Sequence, residues 1–196
     1  MRTLAIVAVL ALATSCASLR LAGLDPLPAD APFRGPEGSY TVTPPSDEWV
    51  RVEGNESRRN VDLSLARKSA DAWLNVSVLR NRYPTADHAL VRGRSRVEGL
   101  MSMSSREEGD AVVQSAGGPL PARLGRYCGT FDRELTARDT CFVILAAMDG
   151  PTTYVLVGQY RAKDRQLGRD EEMTRLVLSL RVEPPPGPDA ERETAP

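Results

Sequence analysis

The sequence predicts a single domain of the α/β (α+β) class, in which helices sandwich an antiparallel sheet, over residues 39–182. Runs of alternating apolar and polar residues predict strands, and two segments with apolar residues at helical spacing predict helices. Residues 140–148 are apolar on both alternating faces, which indicates a central strand covered on both sides. Helices are the elements that can supply this cover.

The first half of the domain is predicted to be strands joined by turns. The strand patterns occupy residues 40–43, 49–52, 61–66 and 74–78. Residues 68–71 are typical of a turn, so the last two strands form an antiparallel hairpin with one buried face. Trp49 and Trp73 are interpreted as packing residues of this sheet, with a ligand platform as the alternative.

A helix is predicted over residues 86–104. Pro84 disfavours helix before it, and Thr85 can cap the free N–H groups of the first turn. Three arginines occupy the polar face of this helix, namely Arg92, Arg94 and Arg96. A solvated face is the favoured interpretation because the total charge is balanced, and binding of nucleic acid or anionic lipid is the alternative.

The second half again runs from strands to a helix. The strand patterns lie at residues 111–115, 120–131, 140–148 and 154–160, with turns at 117–119 and 149–151 and a polar loop at 132–139. From Lys163 onward the chain is predicted to be helical, because its apolar residues lie near one face. These residues are Leu167, Met173, Leu176, Val177 and Leu180.

Composition argues against several classes of function. The 196 residues carry a net charge of −1 with a pI of about 5.9, which gives no electrostatic basis for binding nucleic acid. The single histidine, His88, excludes a His-rich metal site within one chain, and its place in the first helical turn favours a surface residue over a general base. The sequence contains neither the Gly-x-Ser-x-Gly elbow of α/β-hydrolases nor the glycine-rich phosphate loop.

Two acidic clusters remain as candidates for catalysis. The first is predicted to lie in a loop and comprises Glu107, Glu108 and Asp110. The second lies on the C-terminal helix and comprises Asp170, Glu171 and Glu172. Paired carboxylates can perform acid–base chemistry, but neighbours in a polar segment are usually solvated. We therefore expect no enzyme activity, cofactor or metal, with an unrecognised carboxylate site as the alternative.

The N-terminus is typical of an export signal. Residues 1–15 combine Arg2 with an apolar run from Leu4 to Ala13, which is too short to cross a bilayer core of about 30 Å. The residues Ala13-Thr14-Ser15-Cys16 resemble the lipobox of bacterial lipoproteins. The resemblance implies cleavage before Cys16 and acylation of that residue through its thiol. An ordinary secretory signal and an uncleaved anchor are the alternatives.

The lipoprotein resemblance also implies a location. Acyl chains on Cys16 would hold the protein at the membrane of the bacterial envelope. Ala17, where Asp would favour the inner membrane, points to the outer membrane facing the periplasm. Residues 16–38 are then the lipidated cysteine and a Pro/Gly-rich tether. Residues 183–196 form a proline-rich tail predicted to be disordered, and contact of tether or tail with a partner is the alternative to a spacer.

Residues 39–182 resemble the PsbP-like proteins over most of their length. The resemblance lies in Tyr-x-Val-x-Pro-Pro at residues 40–45, Trp49, the hairpin, the helix at 86–104, and the closing Leu178-Ser179-Leu180-Arg181-Val182. It implies a binding or assembly module without a shared active site. The leading hypothesis is therefore a non-catalytic binding or scaffolding module with an unknown envelope partner. A carrier that holds a small apolar ligand between helix and sheet is a further alternative.

Two cysteines flank the polar loop at residues 132–139. If the runs on either side form one hairpin, Cys128 and Cys141 can face each other with their Cα atoms about 4.5–5.5 Å apart, within disulfide range. Export to an oxidising compartment favours the bond. Two reduced thiols buried as small apolar groups are the alternative.

Overall fold

A computed structural model of the chain describes residues 31–36, 39–52, 60–131 and 138–184. The strands are β1 (Phe33–Arg34), β2 (Tyr40–Val42), β3 (Trp49–Arg51), β4 (Leu63–Arg67), β5 (Ala72–Arg80), β6 (Met101–Ser115), β7 (Gly118–Phe131), β8 (Arg138–Asp149), β9 (Thr152–Arg161) and β10 (Arg181–Val182). The helices are α1 (Ala86–Glu98) and α2 (Arg169–Leu178), and a 3₁₀ segment (Ala162–Leu167) precedes α2.

The strands form one sheet in the order β1-β2-β10-β6-β7-β8-β9-β5-β4-β3. Its centre is the meander β6-β7-β8-β9, in which each strand pairs antiparallel with the next. The expectation of a purely antiparallel sheet is wrong at one place, because β10 pairs parallel with β6. Strand β10 follows α2 in the chain and runs beside β6 in the same direction. Its other edge pairs with β2, which joins the β1-β2 pair to the sheet.

The central strand β8 is buried on both faces, as its apolar pattern predicts. Its residues Cys141, Val143, Leu145 and Ala147 belong to one core cluster, together with Met173, Leu176 and Val177 of α2. Its residues Phe142, Ile144 and Ala146 belong to a second cluster, together with Ala89, Leu90 and Val97 of α1. The protein is thus a single α+β domain with a mixed sheet and two helices. A sheet sandwiched by helices along its whole width is not confirmed, since both helices pack mainly on the central strands.

Helix α1 begins where the sequence predicts and ends earlier. The Thr85 side chain accepts a hydrogen bond from the His88 N–H and forms the N-cap. The helix ends at Glu98 with Gly99 as its C-cap, so the predicted extension to residue 104 is wrong. Residues 101–104 instead start β6, whose pairing with β7 outweighs the weak helix propensity near Gly99.

The two ends of the domain also differ from expectation. Phe33, within the predicted tether, is buried and lies in β1 at the edge of the sheet. The predicted C-terminal helix is divided at Gly168, whose φ of 75° is left-handed and breaks the helical path. Arg181 and Val182 form β10 rather than the end of that helix. Residues 185–196 of the predicted tail lie outside the described residues.

Candidate ligand-binding cleft

A cleft of about 240 Å³ opens between α1 and the adjacent face of the sheet. Its floor is apolar and comes from three neighbouring strands, with Leu79 on β5, Val155 and Val157 on β9, and Phe142 on β8. Val97 of α1 forms part of the opposite wall. Because side chains alternate along a strand, the same face of β5 also presents polar groups to the cleft.

The polar groups of the floor lie on β5. Asn75 stands opposite Val157 and Ser77 opposite Val155 in the β5–β9 register. Both polar side chains line the cleft and are half-buried. The amide oxygen of Asn75 accepts a 2.7 Å hydrogen bond from the Ser64 hydroxyl, which fixes its orientation. The cleft can therefore hold a largely apolar molecule and offer it a few hydrogen bonds.

Helix α1 approaches the sheet closely at one wall of the cleft. A Cβ atom on Gly93 would lie 3.2 Å from Cγ2 of Ile144, tighter than most such contacts in proteins. The missing side chain lets the helix pack against β8, while β5 lies beyond the strands that α1 covers most closely. The cleft occupies the space above β5 and extends over Val155 and Val157 of β9 to Phe142 of β8.

Basic side chains border the mouth of the cleft. Arg82 and Arg96 line it, and with Tyr83 they also line an adjoining depression that contains Arg92 and His88. No acidic residue is among the described residues lining either depression. No ion pair within 4.0 Å connects these three arginines to a carboxylate of the described chain. His88 is exposed, and its Nδ1 lies 2.8 Å from the hydroxyl oxygen of Thr85. Its side chain therefore contacts the N-cap residue of α1.

The three arginines predicted to share one solvated face have different environments. Arg94 is mostly buried and donates to Glu108 at 3.0 Å. Arg92 and Arg96 are exposed and border the depressions. Sequence spacing cannot separate them, because the difference depends on what the sheet places beneath each side chain.

The carboxylates of the first acidic cluster lie on β6, which corrects their predicted position in a loop. Glu108 accepts hydrogen bonds from Arg94, from Arg106 at 2.9 Å and from Tyr127 at 2.7 Å. Burial alone would raise the pKa of Glu108, but the hydrogen bonds from Arg106, Tyr127 and Arg94 outweigh it and lower the pKa to about 2. Glu108 is therefore ionised at neutral pH and surrounded by donors, which suits a structural role.

The other two carboxylates of this cluster also form ion pairs. Glu107 pairs with Arg126 at 3.6 Å, and Asp110 pairs with Arg123. Arg123 in addition contacts Asp87 at 3.1 Å. Alternation along β6 places Glu107 on the opposite face from Glu108 and Asp110, and each of the three carboxylates is engaged by an arginine.

The carboxylates of the second acidic cluster diverge from the first turn of α2. Asp170 accepts a 2.6 Å hydrogen bond from the Tyr160 hydroxyl, and burial together with this bond raises the pKa of Tyr160 above its usual value. Glu172 accepts from Trp49 at 2.9 Å and from Arg67 at 3.1 Å. Exposed Glu171 pairs only with Arg175 among the described residues. These contacts attach α2 to the sheet.

The two tryptophans follow the packing interpretation to different degrees. Trp49 is 1% exposed and belongs to the main core. Trp73 is half-buried against Val50 and Ala66, at the β3–β4 end of the sheet. Among the described residues, no group of three or more His, Cys, Asp or Glu side chains is arranged to hold a metal ion.

Cys128 and Cys141 form a disulfide between β7 and β8. They are directly paired in the register, with their Cα atoms 4.1 Å apart. Cys141 is fully buried in the α2 side of the core, opposite the cleft. The bond supports the predicted pairing and gives the cysteines a role in holding the β7–β8 hairpin.

The predicted lipidation site, Cys16, and the signal peptide over residues 1–15 lie outside the described residues. Within the described ranges, no helix combines the length and apolar character needed to span a bilayer. The membrane attachment predicted from the lipobox therefore stays a prediction.

Solved structures share this fold at low sequence identity. Cyanobacterial PsbP (CyanoP) from Synechocystis sp. PCC 6803 superposes with a TM-score of 0.51 and 12% identity, over 78% of this chain and 91% of that chain. The Ran-binding protein Mog1p of Saccharomyces cerevisiae gives 0.50 and 10% identity, over 78% and 94%. LpqN, involved in cell envelope biogenesis of Mycobacterium tuberculosis, gives 0.49 and 12%, over 79% and 90%.

The first two similarities define the protein as an α+β domain of the PsbP/Mog1-like fold, which confirms the predicted PsbP-like architecture. No family model and no curated protein matches the sequence. The fold is shared by proteins with different roles, so function has to be argued from the site.

The sequence allows a ligand between helix and sheet as an alternative but does not identify the residues that line the cleft. Asn75 and Ser77 fall within the strand predicted over residues 74–78, and Arg82 lies outside the predicted strands and helices. One sequence feature could have indicated the cleft. Along one face of β5 the side chains change from polar Asn75 and Ser77 to apolar Leu79. That signal becomes meaningful only once β9 and α1 are known to lie beside it.

Proposed function

We propose that this protein is a lipid-anchored lipoprotein of the bacterial envelope whose domain is a non-catalytic binding module, with the cleft beside α1 as its binding surface. The observation that carries this proposal is the cleft itself. It combines an apolar floor, two polar residues on β5, of which Asn75 is oriented by Ser64, and arginines at its mouth. Concave sites of this composition are the usual places where proteins hold small molecules.

The proposed anchor is supported by the N-terminal sequence. The short apolar run and the small residues before Cys16 suit export followed by acylation of the cysteine. Two or more acyl chains hold a protein stably at a membrane, whereas one chain of myristoyl length holds it only marginally. Ala17 supports sorting to the outer membrane, with the domain facing the periplasm.

The absence of catalysis in this proposal is supported by the hydrogen bonds and ion pairs of the acidic side chains. Glu108 is held ionised by three donors, with its pKa lowered to about 2. The hydroxyl of Tyr160 and the guanidinium of Arg126 engage Asp170. A general acid at neutral pH needs a raised carboxyl pKa, and a general base needs a lone pair free for substrate. Glu108, with its lowered pKa and three donors, fits neither role.

A carrier function is the second candidate, and the cleft favours it over scaffolding alone. The floor residues Leu79, Val155 and Val157 offer apolar contact between helix and sheet, where a carried ligand would lie. A scaffold that only contacts another protein needs no such recess.

A photo-crosslinking experiment in intact cells tests the binding surface. A photoreactive amino acid replaces Ser77 in the cleft of the full chain, and the matched control places it at Glu171, exposed on the outer side of α2. The proposal expects an adduct, of small-molecule or protein mass, at position 77 and none at 171. Equal labelling at both positions, or none at 77, would overturn it.

A further inference from the structure

The charge around the cleft identifies a class of ligand. Arg82 and Arg96 line the mouth, and Arg92 lies in the adjoining depression that shares them. Most of the arginines that pack against the sheet have carboxylate partners, such as Arg94 with Glu108 and Arg169 with Asp71. The arginines at the cleft have none among the described residues, so the described lining of this corner is cationic in a chain of net charge −1.

The apolar floor determines the other half of the ligand. A cleft of about 240 Å³ is smaller than the pockets of 300–1,000 Å³ that usually hold drug-sized ligands. It therefore has room for one narrow chain along Leu79, Val155 and Val157, with Phe142 at its side. An unbranched alkyl chain satisfies this shape and chemistry.

We infer that the cleft binds a single-chain anionic amphiphile, specifically a fatty acid, with its alkyl chain on the floor and its carboxylate at Arg82 and Arg96. This inference rests on the proposed function, because it names the ligand of the same site. A guanidinium group binds a carboxylate through two parallel N–H···O bonds, and such charge-assisted bonds are strong in a partly dry site. The carboxylate is the smaller of the two common acidic head groups and suits a mouth lined by two arginines.

The side chains around the mouth favour an anion over a cation. Tyr83 lies between the two depressions, and its hydroxyl is a further donor for an acidic head group. Asp62 lines a separate depression beside Arg80, where its carboxylate accepts a 2.6 Å hydrogen bond from the Val78 N–H of β5. A cationic amphiphile would face three arginines with no compensating acid among the described lining residues, which is electrostatically unfavourable.

The test uses the full chain reconstituted in phosphatidylcholine nanodiscs and three diazirine probes of equal chain length. The probes are a fatty acid, the matching fatty alcohol and a lysophosphatidic acid, and labelled peptides are identified by mass spectrometry. We expect the acid to label peptides from α1, β5 and β9, with competition by unlabelled dodecanoate. The alcohol is expected to label them about tenfold less, since the charge-assisted bonds are lost.

Three variants make the test specific. The double variant Arg82→Gln/Arg96→Gln is expected to reduce labelling by the acid about tenfold and to leave labelling by the alcohol unchanged. Val157→Phe, which fills the floor, is expected to reduce labelling by both probes. Arg34→Gln removes one positive charge from an exposed position of β1, outside the cleft, and is expected to change nothing. Circular dichroism confirms that each variant is folded.

The outcomes separate this inference from the proposed function. Equal labelling by acid and alcohol, or an unchanged signal in the double arginine variant, would overturn the anionic ligand. Preference for lysophosphatidic acid would overturn the carboxylate head group. If the acid fails to label the cleft while the crosslinker at Ser77 still captures an adduct, the inference is wrong and the binding module stands. If both fail, the proposed binding surface is wrong as well.

Discussion

The hydroxyl of Tyr127 on β7 donates a 2.7 Å hydrogen bond to Oε1 of Glu108 on the neighbouring strand β6. The same oxygen accepts a 3.0 Å hydrogen bond from Arg94 of α1. Tyr127 is fully buried, and burial together with the Glu108 contact raises the pKa of its hydroxyl above the usual value. This cluster therefore ties α1 to the β6–β7 hairpin and holds in place the helix that walls the cleft.

Glu108→Gln is expected to destabilise the domain by about 2 kcal/mol at pH 7, since charge-assisted hydrogen bonds are lost. The carboxyl pKa falls from 4.5 to about 2 on folding, so its contribution is complete above pH 4.5 and disappears as the pH falls to 2. Urea unfolding of wild type and variant from pH 7 to pH 2 should show the difference shrinking over that interval.

Glu98→Gln is the matched control for this measurement. Glu98 pairs with the same Arg94, but at 3.5 Å and with 44% of its side chain exposed. An exposed ion pair of this kind contributes about 0.5 kcal/mol or less. A Glu108 effect no larger than that of Glu98, or one that persists undiminished at pH 2, would contradict the assignment.

Gly125→Ala is expected to destabilise the domain by about 1–3 kcal/mol, because the added methyl group overpacks a filled site. A Cβ atom at Gly125 would overlap the Tyr127 hydroxyl oxygen, so the ring has to leave Glu108. Thermal unfolding measures the cost. Gly109→Ala on β6 is the control, since nothing lies within 4 Å of its Cβ position. Equal effects at the two glycines would refute the steric explanation.

Glu172→Ala is expected to destabilise the domain by about 3 kcal/mol or more, because it leaves buried donors without their acceptor. These donors are the indole N–H of Trp49 and the guanidinium groups of Arg67 and Arg169. Unfolding followed by tryptophan fluorescence reports both stability and the environment of Trp49. Glu171→Ala, one position away and 77% exposed, should have little effect, and a comparable loss there would argue against the network.

Loss of the Cys128–Cys141 disulfide is expected to cost about 3 kcal/mol, the chain-entropy value for a short closed loop. The double variant Cys128→Ser/Cys141→Ser keeps Cys16 and can be compared with wild type by urea unfolding. Intact mass after alkylation without reductant should show no label on either cysteine of denatured wild-type protein. Two added alkyl groups at these positions would contradict the bond.

Cys16→Ser is expected to remove the protein from the membrane fraction and to leave the domain folded, because the acyl chains have no attachment site. Fractionation followed by immunoblotting measures the distribution, and circular dichroism measures folding. The Cys128→Ser/Cys141→Ser variant is the control, since it should remain at the membrane. Unchanged retention of Cys16→Ser would count against the lipoprotein proposal.

Features set by near neighbours were predictable from the sequence. Thr85 caps α1 because a hydroxyl three residues before an N–H reaches it in any helix start. Cys128 and Cys141 meet because alternation and the intervening loop place them opposite each other in one hairpin. The sequence predicts β6 only from residue 111. Residues 105–110 are polar, and their strand conformation depends on long-range pairing with β7.

The sequence by itself determined which faces of the strands are apolar, that β8 is covered on both sides, and where α1 begins. Each follows from residue spacing, which fixes the direction of a side chain relative to its own backbone. Only the tertiary structure decided that β5 pairs with β9 and that the cleft opens beside α1. It also decided that Arg94 is paired with Glu108 while Arg96, two residues later, borders the cleft. These relations join residues far apart in the chain, so they depend on the packing of whole elements.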